Sequence, residues 1–329
     1  MSQKRKAKHK MSNCFLFGAG FSHAISGRKA PLTKTLGEEI SKKIPIEIKK
    51  KLDFEPDLLE VFMTQLDLSR KEDEVKCKQQ IREFLRARLS INQIQDSNCQ
   101  VGSGFVDTLG QDDVLLSLNY DCLLDQILCL QKVWHPNGGY SNFVEDRGLA
   151  LRNGPHNKSF RNILLLKLHG SLNFIEHYGV DEKDEYDREH SFIDIEINSE
   201  VFPNLNLNRG ILPDAIKGEH LIALSYMKVF HPQVLSLWNL AFGKFRETFF
   251  DKFVIIGCSV RPEDTLLHLL LLNIQCNKII VVDPAHKEIV VRLFRLCRAP
   301  NSFRIEADKW EVRDDLEHYL AVEKLTAPL

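Results

Sequence analysis

"NCFLFGAGFSHAISG", residues Asn13 to Gly27, is the stretch on which the reading of the fold turns. The apolar run from Cys14 to Phe17 breaks at Gly18-Ala19-Gly20 and passes into small and polar residues, as a buried strand does when it turns into a helix. Two glycines one residue apart form the first half of a G-x-G-x-x-G turn, where they permit a tight bend and close approach of a pyrophosphate to a helix N-terminus. The third glycine is missing. A dehydrogenase also needs an acid about 20 residues on, after a second strand, to hold a ribose. Glu38 and Glu39 have that distance but fall in a helical stretch, which disfavours a dehydrogenase. The turn is then either a nucleotide site for other chemistry or a plain strand-to-helix connection.

Four more apolar runs share its character: Val114 to Leu118, Ile163 to Leu168, Phe253 to Ile256 and Lys278 to Val282. They are short and continuous rather than alternating, as strands buried on both faces of a parallel sheet are. They end in Asn119-Tyr120-Asp121, His169-Gly170-Ser171, Gly257-Cys258-Ser259 and Asp283-Pro284. In open α/β sheets the ligand crevice lies outside the carboxyl ends of the strands, so neighbouring strands would gather these motifs in one crevice. The expected fold is α/β, a Rossmann-like open parallel sheet flanked by helices.

Between the first two runs lies more helical sequence than one crossover needs. Thr35 to Glu38 has the spacing of a capping box, and Val75, Ile81, Phe84, Leu85 and Leu89 make a helical stripe. A helical lobe inserted at about 35–110 is therefore expected, with a second insertion at about 175–210. In the second, residues 180–190 (VDEKDEYDREH) look like a solvated loop, and Ile193, Ile195 and Ile197 alternate with polar residues as in a half-exposed strand. Helices are expected around Trp238 to Phe250 and Thr265 to Ile274. Arg304 to Glu306 followed by Glu311 to Val322 supplies a last edge element. Residues 1–12 read as a basic flexible arm ahead of a single 13–329 domain.

Composition narrows the function classes. The 329 residues carry 44 Lys+Arg against 45 Asp+Glu, so the net charge of -1 gives no reason to expect nucleic-acid or membrane binding. Eight cysteines lie scattered with no Cys-x-x-Cys pair, the pattern of reduced core thiols in a cytoplasmic protein rather than of a zinc site. No run approaches a membrane-spanning length.

The strand-end residues carry the chemistry. Asn119 and Asp121 could reach ribose hydroxyls or orient a water; equally, Asp121 could cap the helix that follows. His169 stands at a strand end beside Gly170, and an imidazole with an unperturbed pKa of about 6.5 is a natural base at neutral pH.

In order, GAGFS with Pro31 following, SLNYD, KLHGS, ILP (Ile211 to Pro213), VIIGCSVRPED and VVDP resemble the sirtuin-like domains of bacterial anti-phage NAD hydrolases, such as those of Thoeris and related abortive-infection systems. The resemblance spans six short blocks from Phe15 to Pro284; the helical regions between them match nothing in it. It implies that Gly18, Ala19, Gly20, Ser22 and Pro31 line the NAD+ diphosphate and ribose. It implies further that Asn119 and Asp121 sit by the nicotinamide ribose and that His169 is the catalytic base. Gly257 and Ser259 would lie near the adenosine half, with Asp283 on its ribose. Asp264 fits the family's aspartate after the Gly-x-Ser turn, and a helix N-cap explains it equally.

Protein-deacylating sirtuins carry Pro-Asp-Phe-Arg after the glycine turn and a four-cysteine zinc module. Here Pro31 is followed by Leu-Thr-Lys, and no cysteine pairs exist. The expected activity is therefore cleavage of NAD+ as substrate, with water as acceptor and without zinc. The alternatives are a deacylase or ADP-ribosyltransferase using the same bond cleavage, and a non-catalytic NAD or nucleotide sensor. The resemblance also implies a homo-oligomer gated by a partner such as a HerA-type ATPase or a short Argonaute.

Overall fold

The structure is a computed structural model that describes residues 12–90, 100–140, 161, 163–180, 186–195, 201–202, 218–226, 228, 231–297, 310–313 and 315–326. The strands in chain order are β1 (Cys14–Phe17), β2 (Val114–Ser117), β3 (Leu164–Lys167), β4 (Gly170–Val180), β5 (Tyr186–Ile195), β6 (Gly218–Ile222), β7 (Phe250–Ile256), β8 (Cys276–Val282) and β9 (Trp310–Arg313). Six of them form one sheet in the order β3-β2-β1-β7-β8-β9, with every neighbouring pair parallel. All four residues of β1 and of β2 are buried, because helices cover both faces. The fold is a Rossmann-like α/β fold, as the unbroken apolar runs predict.

Register turns this order into a site. Phe17 pairs with both Ser117 and Ile256, Ser117 with Lys167, and Ile256 with Val282. The residues just beyond these partners are Gly18, Leu118, Leu168, Gly257 and Asp283, so the strand-end motifs stand side by side along one edge. The chain leaves β1 for β2 on one side and returns through β7 on the other. The edge between β1 and β7 is thus the topological switch point, where open α/β sheets bind ligands.

Several details differ from expectation. The helix Thr33–Ser41 starts before the presumed capping box, with extended Leu32 as an N-cap that makes no side-chain bond. Gly37 stands inside it because a Cβ there would lie 2.1 Å from the Pro56 carbonyl oxygen. In the helix Glu72–Arg88 the buried residues are Glu74, Cys77, Ile81 and Leu85; Val75 lies one position off that stripe and is exposed. Residues 186–190 are not loop but the start of β5, with Val180 opposite Tyr186 in an antiparallel sheet ordered β5-β4-β6. Strand pairing there satisfies backbone groups whatever the charge of the side chains. The helix expected from Trp238 runs Pro232–Glu247, and Phe250 belongs to β7.

The edge element resolves into β9 and the helix Leu316–Thr326. Ser12, assigned to the arm, already accepts the Asp251 amide through its carbonyl at 2.9 Å. Residues 1–11, Ile197, Arg304 to Glu306 and Ile211 to Pro213 lie outside the described residues. Among the described residues no helix is long and apolar enough to cross a membrane, and no cluster of three or more His, Cys, Asp or Glu could hold a metal.

Candidate functional site

A cleft of about 300 Å³ opens at the switch point. Gly18, Ala19, Gly20, Ser22, Pro31, Asn119, Asp121, His169, Gly257, Ser259 and Asp283 all line it. Every residue nominated from the sequence is therefore brought to one place, although they span more than 250 positions of chain. The volume is at the lower end of the range for small-molecule sites, about 300–1,000 Å³.

The glycine turn is built differently from the expected cradle. The Gly18 amide donates to Ile256 O at 3.0 Å and the Gly20 amide to Gly257 O at 2.9 Å. A Cβ on Gly20 would lie 2.7 Å from Gly257 Cα, and one on Gly257, whose φ is +58°, would lie 2.3 Å from the Phe21 nitrogen. The missing side chains let the β1 and β7 turns touch, and the Gly20 amide is spent on that contact rather than offered to a phosphate. Next along, Val260 holds φ +45° while almost fully buried. For a β-branched residue this is strained backbone, of the kind that gathers at ligand sites.

Asn119 locks the turn from the β2 side, its Nδ2 donating to Gly18 O and to Ser22 Oγ, each at 2.9 Å. The Ser22 hydroxyl in turn bonds the Asp121 carboxylate. Asp121 also accepts the Leu123 amide at 3.1 Å, so it caps the following turn and lines the cleft at once. Burial raises its pKa, against the lowering effects of Lys167, Ser22 and the Leu123 amide.

Beneath it lies a network the sequence reading passed over. Lys167, fully buried, donates to the Asp121 carbonyl and to Asp125 Oδ2, the latter at 3.0 Å. Tyr140 OH donates to Asp125 Oδ1 and accepts from Asn173 Nδ2 at 3.0 Å. The signal was a lysine inside the apolar run LLLKL, since a buried ammonium requires a carboxylate partner.

His169 sits among aromatic rings, 6.2 Å from Trp238 and 6.0 Å from Tyr120 between centroids. Its Nε2 is 3.4 Å from Asp264 Oδ2, and its Nδ1 is 3.5 Å from Tyr120 OH and 3.7 Å from Glu60 Oε1. Asp264 is an N-cap as well, its Oδ1 accepting the Leu267 amide at 3.1 Å. Burial opposes ionisation of Asp264, but His169, Lys228 and the Leu267 amide together hold its pKa below the ordinary value. Glu60 comes from the inserted helix Leu59–Leu68, and no spacing in the sequence points to it.

At the rim, the exposed Lys34 pairs with Asp57 Oδ2 at 3.5 Å, and Arg261 donates to the Asp57 carbonyl. Asp283 Oδ1 accepts the Ala285 amide at 2.7 Å, and burial raises the pKa of its carboxyl.

Charges of both signs line the cleft: Glu60, Asp121, Asp264 and Asp283 with Lys34 and Arg261. Compared with known proteins, the chain matches no family model and no curated sequence.

Proposed function

We propose that the chain is an NAD+ glycohydrolase that releases nicotinamide and ADP-ribose. The observation that carries this reading is the convergence of the glycine turn, Asn119, Asp121 and His169 on one cleft at the sheet's switch point. The charged side chains of the cleft lining support it: Asp121, Asp264 and Glu60 suit the cationic nicotinamide ring and the oxocarbenium-like state that follows, while Lys34 and Arg261 suit the diphosphate.

In this mechanism the nicotinamide–ribose bond breaks with its electron pair leaving on nicotinamide, which needs no general acid because the ring is already cationic. Water adds to the ribose carbon, and His169 takes its proton. Asn119 holds the turn that frames the ribose. Uncontrolled NAD+ loss is toxic, so an anti-phage role with activation by self-assembly or a partner ATPase or Argonaute belongs to the same proposal.

The test is nicotinamide release from NAD+ by the purified protein across a range of protein concentrations, with His169→Ala and Asn119→Ala as controls. Release that disappears in both variants while they stay folded is the expected result. Full activity in His169→Ala refutes the assignment of the base, and NAD+ binding without turnover at any concentration leaves two readings, a sensor or an enzyme that needs its activating partner.

A further inference from the structure

Among the described residues His169 is the one imidazole in the cleft, and its two ring nitrogens meet different company. Nε2 is buried and makes no aligned hydrogen bond, yet the nearest charged atom, Asp264 Oδ2, is only 3.4 Å away. Such contacts in ligand-free sites commonly tighten when substrate binds. The Leu267 amide holds Asp264 Oδ1, which leaves Oδ2 facing the ring. An ionised carboxylate can only accept, so it selects the tautomer with the proton on Nε2.

Nδ1 is then the lone pair. Its two neighbours suit two states of that nitrogen. The Tyr120 hydroxyl at 3.5 Å can donate to the free base, and the Glu60 carboxylate at 3.7 Å can accept from the imidazolium. Tyr120 is buried, and burial pushes its hydroxyl pKa well up, so it remains a donor.

We propose that His169 works from Nδ1, with Asp264 a positioning residue that fixes the Nε2–H tautomer and Glu60, brought in by the inserted helix, the carboxylate that stabilises the protonated ring. This rests on the reading of His169 as the base. The water O–H bond breaks as the bond to ribose forms, the proton goes to Nδ1, and the imidazolium lies between two carboxylates until solvent removes the proton.

The arrangement makes an unusual forecast for Asp264→Asn. The amide oxygen should stay on the Leu267 amide, keeping the helix cap, so the NH2 group takes the place of Oδ2 and donates to Nε2. The ring must then carry its proton on Nδ1, where the lone pair was needed.

The experiment uses full-length protein labelled with ¹⁵N-histidine, whose long-range ¹H–¹⁵N spectra report the tautomer of each ring. The His169 signals are assigned by their loss in His169→Gln. Expected are Nε2–H in the wild type and Nδ1–H in Asp264→Asn. Nδ1–H in the wild type, or an unchanged tautomer in the variant, overturns the proposal, and the wild-type arm does not depend on the variant folding.

If the wild type hydrolyses NAD+, Asp264→Asn should lower kcat by at least about 100-fold with little change in KM, and retention within about threefold overturns the Nδ1 assignment. If the wild type binds NAD+ but releases nothing, the hydrolase reading of the isolated chain falls while the spectra still decide the tautomer.

Discussion

Lys167→Met tests whether the polar network under the cleft holds the site in place. Lys167 and Asp125 are both fully buried and 3.0 Å apart. Burial works against the charge of Lys167, but Asp125, Cys122 and Asp121 more than offset it and raise its pKa above the ordinary lysine value. Methionine keeps most of the stem's bulk and removes the charge. Asp125 is left with the Tyr140 hydroxyl, and the Asp121 carbonyl loses its donor.

Breaking a buried pair from one side costs about 3–5 kcal/mol, chiefly because the remaining charge is stranded. With a urea slope of about 3 kcal/mol/M, the midpoint should fall by about 1–1.7 M. Adding Asp125→Asn removes the stranded charge while its amide oxygen can still accept from Tyr140. The double variant should therefore recover about half the loss or more. Urea titration followed by fluorescence of the buried Trp134 and Trp238 measures all three proteins. A single-variant cost under about 1 kcal/mol, or a double variant less stable than Lys167→Met, would refute the reasoning.

Other outcomes follow from particular contacts. Gly257→Ala meets a left-handed backbone costing about 1–2 kcal/mol and a Cβ 2.3 Å from the Phe21 nitrogen, so it should lower the thermal midpoint and weaken NAD+ binding by calorimetry. Asn119→Ala removes two side-chain bonds to the glycine turn and should cost about 1–3 kcal/mol in urea while abolishing nicotinamide release. Asp67 is held below the ordinary carboxylate range: burial opposes its charge, but hydrogen bonds from His231 and Lys78 prevail. A depressed carboxylate contributes stability that is present above its unfolded pKa, about 3.9, and lost as pH falls towards the folded value. Below about pH 4, Asp67→Asn should therefore show a shallower acid loss than the wild type, measured by urea midpoints at stepped pH.

Glu60 and Val75 show where sequence reading stopped. Val75 matched an apolar stripe by hydrophobicity, but the helix phase was set by packing of Cys77, Ile81 and Leu85, which left Val75 in solvent. Glu60 was invisible because its meaning lies in 3.7 Å of space, not in its neighbours along the chain. Asp264 was legible as a helix cap, and its Oδ1 accepts the Leu267 amide; that its other oxygen lies 3.4 Å from His169 was not.

What the residues determined by themselves was the sheet and its crevice. Short unbroken apolar runs that end in glycine or turn residues suit strands buried on both faces, and parallel strands of that kind put all their carboxyl ends on one edge. Tertiary structure decided what those ends do to one another: that the two glycine turns interlock, that Lys167 finds Asp125, and that a helix from the insertion sets Glu60 beside His169. Strand identity is written in local hydrophobicity, whereas a hydrogen bond or ion pair between distant residues depends on ångström-scale placement that only the packed chain supplies.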